Sequence, residues 1–173
     1  MNWKAYHSRG EILHDVIDTA DERRDGLLPM DVEGVTEKFD DELDLLCALQ
    51  LKWHTNLAGR IDRFLAEQPM NLEDAVINAW HSVADEYQGV RLILDHYRSQ
   101  PLDGAMATAM RKAVAKENLM LAVMSGYASV DDELAIPIGQ RINERARETF
   151  IPSLPVAPSR VTIISRIRAA LAA

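Results

Sequence analysis

The dipeptide Trp-His occurs twice in this chain, at Trp53-His54 and Trp80-His81, each inside a long run of helically spaced apolar residues. Those runs extend over about Asp40–Glu67 and about Leu72–Ser99, separated by the helix-stopping segment Gln68-Pro69-Met70. If the two helices fold back on each other at that segment, positions whose numbers sum to about 138 lie abreast. His54 then faces the neighbourhood of Ala84, and His81 that of Leu57. Asp85, four residues after His81, shares its helix face. The same counting about Pro101 brings Glu117 opposite Tyr87. His54, His81, Asp85 and Glu117 are thus expected near one layer of a bundle.

Imidazole nitrogens and carboxylate oxygens converging inside a helical bundle would suit a transition metal, in the style of ferritin-like or hemerythrin-like proteins. The pattern falls short of their signatures. Neither His54 nor His81 has a Glu three residues before it, and no His-x-x-x-His is present. A plainer reading gives Trp53 and Trp80 to the core and leaves the adjacent His and acidic groups at its boundary, hydrogen-bonded or solvated. A third reading lines a small-molecule pocket with Trp53, Trp80, Tyr87 and methionines. The remaining histidines offer less: His7, His14 and Asp18 share a surface face, and His96 suits the negative end of its helix.

The elements that must position these groups are all helical. Five stripes step by threes and fours: Trp3 to Ala20, Phe39 to Phe64, Val76 to Tyr97, Met106 to Met124, and Leu134 to Phe150. No segment alternates as a strand would. Gln68-Pro69-Met70-Asn71 and Gln100-Pro101-Leu102-Asp103 each place a Pro two residues before a helix-capping Asn or Asp. Gly126 is a C-terminal cap for the fourth helix, and Asp40-Asp41-Glu42 and Asp131-Asp132-Glu133 put negative charge before helix starts. Gly59 and Gly89, inside long helices, imply close packing or a kink. Cys47, between Leu46 and Ala48, is expected to pack in the core. The expected fold is an all-α, antiparallel up-and-down bundle with four to five main helices over residues 1–150. A Pro-rich linker at 151–158 follows, then a short amphipathic basic helix at 159–173.

Of 173 residues, 47% are hydrophobic, and 19 Lys and Arg stand against 27 Asp and Glu, for a net charge of −8. That balance disfavours nucleic acid and anionic membranes, and a single Cys excludes a disulfide framework. From Arg141 onward six arginines face two glutamates, so that part carries +4 and the preceding 140 residues carry −12. There is no apolar run of membrane-spanning length and no secretory signal pattern, so a cytoplasmic location is expected. No phosphate-binding glycine loop, Ser nucleophile elbow or Cys/His cluster is found. The expectation is a non-enzymatic protein that needs no cofactor. It would act through contacts with a protein partner or with itself, the C-terminal helix serving as one route to a homo-oligomer.

Overall fold

The computed structural model describes residues 8–153, and the segments 1–7 and 154–173 lie outside that description. The expected C-terminal helix, most of the Pro-rich linker, Trp3, Tyr6 and His7 therefore fall beyond the described residues. Within them the chain is all-α. In order the helices are α1 Arg9–Arg23, α2 Val35–Lys38, α3 Glu42–Ala66, α4 Leu72–Glu86, α5 Gln88–Ser99, α6 Gly104–Met124 and α7 Ala135–Thr149.

Helix starts follow the side chains that can satisfy free backbone N–H groups. Asp41, Asn71 and Asp103 cap α3, α4 and α6, accepting from the N–H of Asp44, Asp74 and Met106. Ser8 and Glu11 form a reciprocal capping box at α1. At the other end of α6, Gly126 takes a positive φ of 77°, as its place after the helix requires. α7 starts without a side-chain cap, although Asp132 accepts from the Leu134 N–H just before it.

The core is built from the faces that the spacing marks out. Leu45, Leu46, Leu49, Trp53, Leu57 and Ile61 are the buried stripe of α3. They meet Val76, Trp80 and Val83 of α4, Val90 and Leu94 of α5, Met106, Met110 and Leu121 of α6, and Ile142 of α7. α6 packs most extensively on α7, and α3 on α4. Outside the core, Arg9 makes a bidentate pair with Asp44 at 2.7 and 3.0 Å, tying α1 to α3. Arg145 reaches Glu73 at 2.8 Å and Asp74 at 3.3 Å, tying α7 to α4.

Two local expectations are corrected, and one short helix is added. The helix expected over Leu72–Ser99 breaks at Tyr87, whose φ and ψ are −122° and 49°. The break lies where α1 presses on Gly89: a Cβ there would overlap the carbonyl of Ala20. The N–H of Gly89, near the start of α5, is taken up by Asp21 Oδ1 at 2.6 Å. The connection after α1 contains the short helix α2, whose Val35 is buried. Cys47 is exposed instead of buried. The buried stripe of α3 runs through Leu45, Leu46 and Leu49, and at 100° per residue Cys47 turns away from it. Partial burial, aided by Asp44 and Asp41, still pushes its thiol pKa up.

Gly139 marks the tightest crossing, since a Cβ there would overlap the Asn118 carbonyl of α6. Gly59 is its opposite, with open space around the same hypothetical atom. Gly139→Ala is expected to cost about 2–4 kcal/mol by prising α7 from α6, while Gly59→Ala gains up to about 1 kcal/mol of helix propensity. Urea unfolding of the two variants checks this. A Gly139→Ala midpoint equal to that of the parent would refute the close crossing.

Candidate functional site

Five successive helices, α3 to α7, each contribute one polar group to a single buried point. Glu117 of α6, only 3% exposed, sits there. Its Oε2 accepts from Trp53 Nε1 of α3 at 2.9 Å. Its Oε1 accepts from Asn143 Nδ2 of α7 at 2.8 Å and, more loosely, from Trp80 Nε1 of α4 at 3.4 Å. Arg91 of α5 brings Nη1 to 3.9 Å from Oε2. A carboxylate has acceptor sites only, and every partner here is a donor, so the match is complete in kind.

The indoles belong to the same unit. Trp53 and Trp80 meet edge to face with centroids 5.8 Å apart, and the Arg91 guanidinium lies 4.7 Å from the Trp53 ring centre. Arg91 also holds Asp95, with Nη2 and Nε at 2.5 and 3.2 Å. Asp95 in turn receives Arg147 Nη1 of α7 at 3.0 Å, and Arg147 Nε returns to Asn143 Oδ1 at 2.7 Å. Two arginines and two carboxylates therefore close a charge-balanced network. One atom stands apart: buried Arg91 Nη1 has no hydrogen-bond partner among the described residues.

Of the four residues expected to converge, only Glu117 occupies the centre. His81 is half-buried on the side of α4 facing α7, where Nε2 donates to the Ala146 carbonyl at 2.8 Å. Its ring also contacts Phe150, with centroids 5.7 Å apart. Asp85 holds the chain leaving α7, accepting from Ser153 N and Oγ at 2.7–2.8 Å and from Gln88 Nε2 at 3.0 Å. The Ser153 hydrogen bonds hold its carboxyl below the usual value. His54 borders a groove between α3 and α6. Because neighbouring residues on a helix differ by about 100°, turning each Trp inward swings its His sideways. Among the described residues, no three His, Cys, Asp or Glu side chains are grouped so as to hold a metal ion.

Two concavities flank this arrangement. One, about 270 Å³, lies between α4, α5 and α7 and is bordered by Trp80, Arg91, Asp95, Arg147 and Phe150. The other, about 310 Å³, separates α3 from α6 and is bordered by Cys47, Leu51, His54, Met110, Lys112 and Lys116 among others. Leu51 stands 67% exposed on its rim. His14 and Asp18 pair at 3.6 Å on the exposed face of α1, as their spacing implies.

The fold and site define the class: an all-α helical bundle locked by a buried carboxylate. Comparison with family models, curated proteins and solved structures returns no match to this chain. No helix among the described residues is long and apolar enough to cross a membrane.

Glu117→Gln keeps the shape but sets an amide donor against indole, amide or guanidinium donors. It is expected to cost about 2–4 kcal/mol and to perturb Trp emission. Unchanged urea unfolding and unchanged fluorescence would refute the central role of Glu117. Asp95 supplies a pH signature. Burial is the largest influence on its carboxyl and pushes the pKa up, but Arg91 and then Arg147 outweigh it and hold the value below normal. Stability from such a group is fully present above the unfolded value of about 3.9 and is lost as pH falls through the folded value. Asp95→Asn should therefore destabilise at neutral pH and flatten the acid-side decline. An equally steep decline in the variant would overturn the assignment.

Proposed function

We propose that this chain is a non-enzymatic helical-bundle protein that works through protein–protein contacts, with the α1, α3 and α6 face as its contact surface. The observation that carries the reading is Leu51, 67% exposed between two concavities. On one side lies the α3–α6 groove. On the other, a groove of about 440 Å³ between α1 and α3 is bordered by Leu13, Cys47, Ala48 and Thr55, with the charged Arg9, Asp44 and Lys52 at its edge. Leu51 and the apolar parts of the two furrows lie together, and a continuous apolar strip of this kind suits the seating of another chain.

The competing small-molecule reading draws on the concavity beside Trp80. Its charged walls, Arg91, Asp95 and Arg147, are already paired with one another, so a polar ligand would have to displace internal bonds. Of the residues expected to line such a pocket, Trp80 borders this one. Trp53 is buried beneath the Arg91 guanidinium. The contact reading requires no such rearrangement and is the stronger of the two.

Cys47 borders both furrows and is the chain's one cysteine, which makes it a direct reporter. Modification of Cys47 by N-ethylmaleimide is expected to slow as the purified protein is concentrated, or when extract of its source cells is added. Leu51→Asp should abolish that protection. A rate unaltered by concentration, by extract and by the substitution would defeat the proposal.

A further inference from the structure

Charge on α6 is distributed one-sidedly. Its residues include three cations, Arg111, Lys112 and Lys116, all exposed, whereas its one acidic residue, Glu117, is turned into the core. Lys112 and Lys116 are four apart and stand side by side on the rim of the α3–α6 groove. Neither makes an ion pair among the described residues, whereas Arg9, Arg23, Arg60 and Arg145 are each paired with a carboxylate. Across the groove the α3 wall offers Cys47, Gln50, Leu51 and His54, and no carboxylate borders it. Lys52 lies just beyond Leu51 on the neighbouring furrow, so three of the chain's five lysines sit around this ridge.

Exposed like charges four apart on a helix repel one another weakly, and an acidic group seated beside them relieves that repulsion. The first 140 residues carry −12, so Lys112 and Lys116, on a groove that no carboxylate borders, are a local reversal of sign. The floor between them, with Ala109, Met110 and Ala113, is apolar and shallow-sided because α6 presents small residues to it. Such a floor takes the apolar stripe of an amphipathic helix, with methionine adapting to its outline. The rim selects acidic residues beside that stripe. The chain's own sequence beyond Ser153 is a poor occupant, since it carries three arginines and no acid.

We infer that the α3–α6 groove seats an amphipathic helix of a partner protein whose apolar stripe is flanked by Asp or Glu, with Lys112 and Lys116 selecting its charge. This rests on the contact reading above and narrows it.

The test is fluorescence anisotropy with the full chain and two labelled synthetic helical peptides. Both carry Leu at i, i+4, i+7 and i+11; one is flanked by Glu, the other by Lys at the same positions. The Glu peptide is expected to bind about tenfold more tightly or better, and increasing NaCl should narrow the gap. The double variant Lys112→Glu, Lys116→Glu should invert the preference, and Leu51→Asp should weaken both peptides. Equal binding of the two peptides, or an unchanged preference after charge reversal, would overturn the inference. So would a failure of both peptides, including the case in which phosphatidylserine-rich vesicles capture the protein instead. Cys47 protection reads coverage whatever the charge of the occupant. If it persists while the Glu peptide shows no advantage, the charge rule falls and the contact surface stands.

Discussion

A single carboxylate placed where water cannot reach it sets the terms for this molecule. Burying Glu117 is costly unless its oxygens find donors. The donors are two indoles and an amide, with a guanidinium 3.9 Å away as the counter-charge, each delivered by a different helix. Each helix must therefore hold its own depth and rotation, because a slipped turn leaves a charged group bare. Apolar packing around Leu49, Leu57, Val83 and Leu121 gives the bundle its cohesion but tolerates sliding. The polar centre supplies the register that grease alone does not.

The same logic explains the outer shell of that centre. Arg91 is drawn inward by Glu117 and by the face of Trp53, and its second counterion, Asp95, lies one turn on along α5. Asp95 then reaches Arg147, which returns to Asn143. These bonds start at Arg91 and end at Asn143, both beside Glu117, so α5 and α7 are joined once directly and once through α6. Elsewhere the helices meet by near-contact of backbones, at Gly89 against α1 and at Gly139 against α6.

Much of this was readable beforehand. Helical class and the caps at Asn71 and Asp103 follow from spacing, because short turns let positions be counted from one helix to the next; of the layer expected for His54, His81, Asp85 and Glu117, only Glu117 lies at the centre. What could not be read came from longer connections or from rotation. The register of α7 depends on the segment between Met124 and Ala135, so Asn143 gave no sign of its role. Arg91 sits between Val90 and Leu92 and looks like an ordinary surface cation until its partners are known. His54 and His81 were misplaced because the count gives depth along an axis and not direction around it. The break at Tyr87 depends on α1 lying against Gly89, a contact no local pattern announces. The short helix α2 was missed for want of length. The proposed partner and the functional reading rest on surface chemistry that spacing does not encode.

The crossing at Gly139 has a consequence for the opposite side of α6. There α6 is pressed backbone to backbone on one neighbour and held from within by Glu117, contacts that oppose rocking. Its outward wall, on the far side from that crossing, is thereby braced from behind. For the partner helix proposed above, a braced wall means that the entropy lost on ordering would fall mainly on the visitor, and a segment that arrives already helical would be favoured over one that must coil on landing.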